Sequence, residues 1–289
     1  VRLADALGLR WSQAEARFAQ AVAADDDGDG KAALAAFEAA FSAGIAAGHD
    51  DVVARSAMGT AGLVARVGDF EAADRWLELS AAAIDRHGDR SGELATALES
   101  TRGRTDFHRG DFESALAHFR RTLELDAAAG RGDDPSQGST HLNVGLALSS
   151  LGRNEEALVS LDDALAREQH HFGQAHPRAV RVLNSLCHVR SYAGRIDAAI
   201  EACEEGIALT RQGGTADDPK LVHLHTNYGA VLFRAGRYGD TEKAYLEALA
   251  LAERIYGESD PMVGNVLNNL GVLYVDTGEL GKAQAYYGR

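Results

Sequence analysis

The chain has 289 residues, two cysteines, four prolines and a formal net charge of −14. That acidity disfavours unspecific binding to DNA or RNA, and no apolar run approaches the ~18 residues that span a bilayer. Two cysteines are too few for a disulfide framework, so a reducing, cytoplasmic setting is expected.

The first segment of note is Ala21–Phe41, where Asp25, Asp27, Asp29 and Gly30 take positions 1, 3, 5 and 6 of a calcium-loop pattern. Position 12 of such a loop supplies a bidentate Glu, and here it is Ala36. Gly28, Ala33 and Phe37 share the register of Gly110, Ala115 and Phe119 further on. The segment is therefore expected to be a tight turn between two helices rather than a metal site.

The rest of the chain repeats. Gly68, Gly110, Gly152, Gly194, Gly236 and Gly278 are spaced by 42 residues, as are Pro135, Pro177, Pro219 and Pro261. Proline suits the first turn of a helix, where its missing N–H costs nothing, and the Asp or His before it can cap. Glycine ends the helix in a backbone conformation that other residues resist. A second helix then carries apolar residues at helical spacing, as Ala115, Leu116, Phe119 and Leu123 do. The expected fold is an all-α, right-handed α-solenoid of about seven helical hairpins forming a single array. The hairpins fall near residues 11–48, 51–90, 93–132, 135–174, 177–216, 219–258 and 261–289. The last second helix stops after ten residues where about eighteen are expected, leaving Tyr286 and Tyr287 partly uncovered. With Val rather than Met at position 1, this predicts an excerpt of a longer protein.

The small residue in the first helix (Gly145, Gly229, Gly271), the Gly before the second and the Ala five later (Ala73, Ala115, Ala157, Ala199, Ala283) resemble tetratricopeptide repeats. The 42-residue length and "DPMVGNVLNNLGVLY" resemble the subclass found in kinesin light chains. The Ala/Arg/Asp-rich style is similar to arrays attached to bacterial serine/threonine protein kinases or signalling ATPases. The resemblance implies a groove lined by each first helix at 4, 8, 11 and 15 residues after the proline slot. Those slots hold Arg55, Arg66, Arg104, His108, Asn143, Arg181, His188, Tyr192, His223, Asn227, Arg234 and Asn269. Over all such slots there are five Arg and three His against one Asp, inverting the charge of the chain. Arginine binds carboxylates or phosphates through two hydrogen bonds at once, which implies an acidic, extended protein or peptide partner. In the kinesin light chain subclass, groove asparagines contact the cargo peptide. That assigns Asn143, Asn227 and Asn269, with Asn184 and Asn268 as weaker candidates. Alternatively, these asparagines satisfy neighbouring backbone or side chains in the helix stack.

No nucleotide-binding, zinc-protease, serine-hydrolase or CxxC motif is present, so neither catalysis nor a cofactor is expected. His170, His171 and His176 cluster, but His176 sits in the capping slot that Asp fills elsewhere. Cys187 and Cys203 fall at packing positions and read as core thiols. Arg102 and Asp106 occupy slots where apolar residues are expected, i and i+4 apart, and could pair there.

Overall fold

The computed structural model describes residues 9–89, 91–214 and 217–289. The expected ends of the second and fifth hairpins, residues 90 and 216, lie outside these described residues. Among the described residues there are fourteen α-helices and no strand, forming two compact units, Val1–Asp134 and Pro135–Arg289. The first unit holds α1 (Arg10–Asp26), α2 (Gly30–Ala47), α3 (Asp50–Arg66), α4 (Phe70–His87), α5 (Glu93–Arg109) and α6 (Phe112–Ala128). The second holds α7 (Ser136–Ser150), α8 (Asn154–Phe172), α9 (Pro177–Tyr192) and α10 (Ile196–Gly213). It continues with α11 (Pro219–Arg234), α12 (Tyr238–Tyr256), α13 (Pro261–Asp276) and α14 (Leu280–Tyr287). Odd- and even-numbered helices pair as hairpins, and each hairpin packs on its sequence neighbour within its unit. The all-α solenoid expectation is met.

The local causes are those the repeat predicts. The six glycines of the 42-residue series have φ between 72° and 87°, the left-handed region that lets each first helix stop sharply. His176, Asp218 and Asp260 accept a hydrogen bond from the second residue of α9, α11 and α13, at 3.3, 2.9 and 2.8 Å, with proline at the first position. His176 is thus a cap, as its slot required. In the Asp25–Gly30 turn, Gly28 has φ 79°, Asp29 caps α2 through the Ala32 N–H at 3.0 Å, and Asp25 is bonded to Arg66.

A second consequence of the period lies in the core. Phe119, Leu161, Cys203, Tyr245 and Tyr287 are spaced by 42 and stand on successive even-numbered helices. Each faces a small residue on the odd-numbered helix of its own hairpin: Gly103, Gly145, Cys187, Gly229 and Gly271. A Cβ on Gly103 would lie 2.6 Å from the Phe119 ring, and one on Gly145 would lie 2.7 Å from Leu161. The large side chain therefore rests directly on helix backbone. In the fifth hairpin the same contact is a covalent one. Cys187 and Cys203 form a disulfide, with Cα atoms 5.2 Å apart and both residues fully buried. This corrects the reading as separate core thiols: facing helices hold the two Cα atoms within the 4.4–6.8 Å that a disulfide spans.

The polar slots of the third hairpin are also resolved. Arg102 bonds Glu99 at 2.7 Å, and Asp106 is held by Arg109 at 3.1 Å and His118 at 3.5 Å, so Arg102 and Asp106 do not pair. Burial pushes the Asp106 carboxyl up, while His118 and Arg109 pull it back. His118 reaches from α6 between Glu99 and Asp106, so the acidic residues of α5 are paired across their own hairpin.

Candidate functional site: the faces of the odd-numbered helices

In the first unit, α3 and α5 carry four of the predicted residues. Arg55 is half-buried and bound by its own helix, donating Nε to Asp51 at 3.0 and 3.1 Å. Arg66, Arg104 and His108 are exposed and come together. Arg66 donates to Asp25 at 2.6 Å, whereas Arg104 donates to the Thr101 hydroxyl at 3.1 Å and has no carboxylate partner among the described residues. Desolvation, followed by the Arg66 charge, lowers the Arg104 pKa, against the pull of Asp25. His108 is pushed down by desolvation, then by Arg104 and Arg66. Three basic groups thus gather around one carboxylate, Asp25.

In the second unit, a second group forms on α9 and α11. The Arg234 guanidinium lies 4.0 Å over the ring of Tyr192, and His188 stands 4.6 Å from that ring on its own helix. Arg234 also donates to the Ser191 carbonyl at 3.4 Å. Tyr192 remains 54% exposed, a flat aromatic platform with a cation fixed above it. Desolvation, then Arg234, lowers the His188 pKa.

Arg181 and His223 meet elsewhere, on the rim of a cavity of about 370 Å³ between the N-terminal halves of α9 and α11. Arg181 also donates to the Ser139 hydroxyl at 3.4 Å. The cavity adds Arg178 and Lys220, which the slot rule did not select. Their signal was present: both directly follow a helix-initiating proline, 42 residues apart.

The asparagines divide. Asn227 donates to Asn184 at 2.9 Å, so these two satisfy each other across neighbouring helices. Asn143 and Asn269 are half-buried on α7 and α13 and lie outside both basic groups. No helix among the described residues is long and apolar enough to cross a membrane.

The tetratricopeptide repeat family model matches residues 93–169 and 220–289, together just over half of the chain. No curated protein matches the chain in sequence. Among solved structures, a Rap protein complexed with competence and sporulation factor is similar at TM-score 0.70 and 18% identity, over 94% of this chain and 72% of that one. Podosopora anserina kinesin light chain repeats are similar at TM-score 0.59 and 17% identity, over 70% of this chain and 96% of that one. NprR in complex with its cognate peptide NprX is similar at TM-score 0.59 and 15% identity, over 81% of this chain and 65% of that one. At these identities the likeness is one of fold.

Proposed function

Since the chain belongs to the tetratricopeptide repeat family, a fold that buries its core by stacking and leaves helix faces free for partners, we propose that it is a non-enzymatic interaction module. Its odd-numbered helix faces hold an extended, acidic segment of a protein or peptide. The single observation that carries this reading is the crowding of Arg66, Arg104 and His108 on one face, within a chain of net charge −14. An incoming carboxylate stabilises Arg66 and Arg104 and favours the charged form of the neighbouring His108 imidazole. The Tyr192–Arg234 stack offers an aromatic contact of the kind peptides use. In the parent protein this module is the regulatory or sensing region of a larger bacterial signalling protein, such as a serine/threonine kinase.

A second reading is a receptor for a small ligand or signal peptide, whose binding alters the superhelix. The cavity between α9 and α11 favours it, as does the likeness to NprR with its peptide.

A pH titration tests the first reading. His108 and His188 have pKa values below the usual histidine value of about 6.5, so both are mostly neutral at pH 7. A carboxylate beside either one raises its pKa, so binding takes up protons and affinity increases as pH falls from 7.5 to 6. The check is calorimetric titration of a Glu-rich peptide at both pH values, in buffers of different ionisation enthalpy. Affinity that is unchanged or weaker at pH 6, with no proton uptake, contradicts the reading.

A further inference from the structure

The cavity between α9 and α11 has a composition unlike the rest of this acidic chain. Arg178, Arg181, Lys220 and His223 converge on it with Asn184, and among the described residues no Asp or Glu lines it. Val180 and Leu224 supply an apolar wall. Neither Arg178 nor Arg181 has a carboxylate bonded to it among the described residues. Arg178 lies 4.8 Å over the Phe172 ring, and Arg181 reaches only the Ser139 hydroxyl. The two guanidiniums are close enough that Arg178 helps to lower the pKa of Arg181, after desolvation and against the opposing pull of Glu168. The first turns of α9 and α11 both open here, since Pro177 and Arg178 begin one and Lys220 the other.

Charge decides which ligand fits. Three permanent cations line the cavity, and two carboxylates outside its lining act on them. Asp218 is bonded to Lys220 Nζ at 3.1 Å, and Glu168, 1% exposed, acts on Arg181. Side chains thus leave about one positive charge, and each helix N-terminus adds about half of another. The sum is near two. A single carboxylate neutralises about half of that, whereas a phosphate monoester, at about −1.5 to −2 near neutral pH, matches it. A phosphoryl group also brings three acceptor oxygens to the forked donors of two arginines.

The geometry points to a phosphoryl-binding pocket formed by Arg178, Arg181, Lys220 and His223, which makes capture of a partner segment responsive to phosphorylation. The inference deepens the proposed function and rests on it for the source of the group. Arg181 and His223 belong to the same helix faces, so a phosphorylated residue of the bound segment is the occupant.

The test uses the full chain and three probes: inorganic phosphate, a Gly-Ala-phosphoserine-Ala-Gly peptide, and the same peptide with Glu in place of phosphoserine. Binding is followed by calorimetry and by NMR of the His223 ring. The expected result is one saturable site for the phosphopeptide, with the Glu peptide at least about tenfold weaker. Arg178→Ala and Lys220→Ala should each weaken phosphopeptide binding. Arg121→Glu, a charge change at an exposed residue paired with Glu124 on the other unit, should not. Tighter binding of the phosphopeptide than of inorganic phosphate supports a partner-borne group. Equal binding supports the pocket and overturns the partner-borne source. Equal affinity for the Glu and phosphoserine peptides, or no loss in either cavity variant while circular dichroism shows them folded, overturns the pocket. The two readings fail separately. Phosphate binding without any acidic-segment binding removes the groove reading alone, and the reverse removes the pocket alone.

Discussion

Gly229→Ala is expected to destabilise the protein, although alanine is the better helix former by about 1 kcal/mol. A Cβ at Gly229 would stand 2.5 Å from the Tyr245 ring, and Tyr245 is only 4% exposed, so the ring has little room to retreat. Overpacking of this kind costs about 1–3 kcal/mol, which outweighs the gain in propensity. Gly264 provides the contrast. It lies in α13 with nothing within 4 Å of an added Cβ, and Gly264→Ala should stabilise by up to about 1 kcal/mol. Denaturant unfolding of both variants checks the pair, and Gly229→Ala/Tyr245→Ala should be less unstable than the sum of its single changes. Equal stabilisation by both alanines would mean that the large side chain does not rest on the helix backbone as described.

Reduction of Cys187–Cys203 should cost about 2–3 kcal/mol, the range for a closed loop of this size, since the bond spans a separation of 16 residues. Both sulfurs are fully buried, so a reductant reaches them only when the fifth hairpin opens. Thiol titration should therefore find almost no reactive cysteine in the native protein, and two only after denaturation with reductant. Neighbouring hairpins fill this position with Gly and a large side chain, so Cys187→Gly/Cys203→Tyr should recover part of the stability that Cys203→Ala alone loses. Two thiols titrating in denaturant without reductant would contradict the disulfide, and a double variant weaker than the single would contradict the equivalence of the five positions.

Much of the fold was legible because one period governs several independent demands. The proline at a helix start, the glycine with positive φ at its end and the Ala of the second helix recur at 42 residues, each with one physical meaning. Periodicity does not contain what happens between helices. Cys187 and Cys203 read as packing residues because a separation of 16 does not reveal that two helices face each other. Arg102 and Asp106 looked like partners at i and i+4, but each found a better one: Glu99 one turn away for Arg102, and His118 across the hairpin with Arg109 for Asp106. Among the groove candidates, Asn227 turned out to be bonded to Asn184, the alternative that the sequence left open. Arg178 and Lys220 were missed because the slot rule counts from the fourth residue after proline, while the cavity also collects the first.

The central claim is that basic groups on the odd-numbered helix faces hold an acidic segment. The direct test is the affinity of a Glu-rich peptide for the full chain and for Arg104→Glu and Arg234→Glu, measured at low salt, with folding verified by circular dichroism. Arg104 has no carboxylate partner to lose among the described residues and Arg234 stacks on exposed Tyr192, so neither change should disturb the core. Each reversal should weaken binding roughly tenfold or more, and added salt should narrow the difference. Unchanged affinity in both variants would place the acidic segment elsewhere and contradict the account.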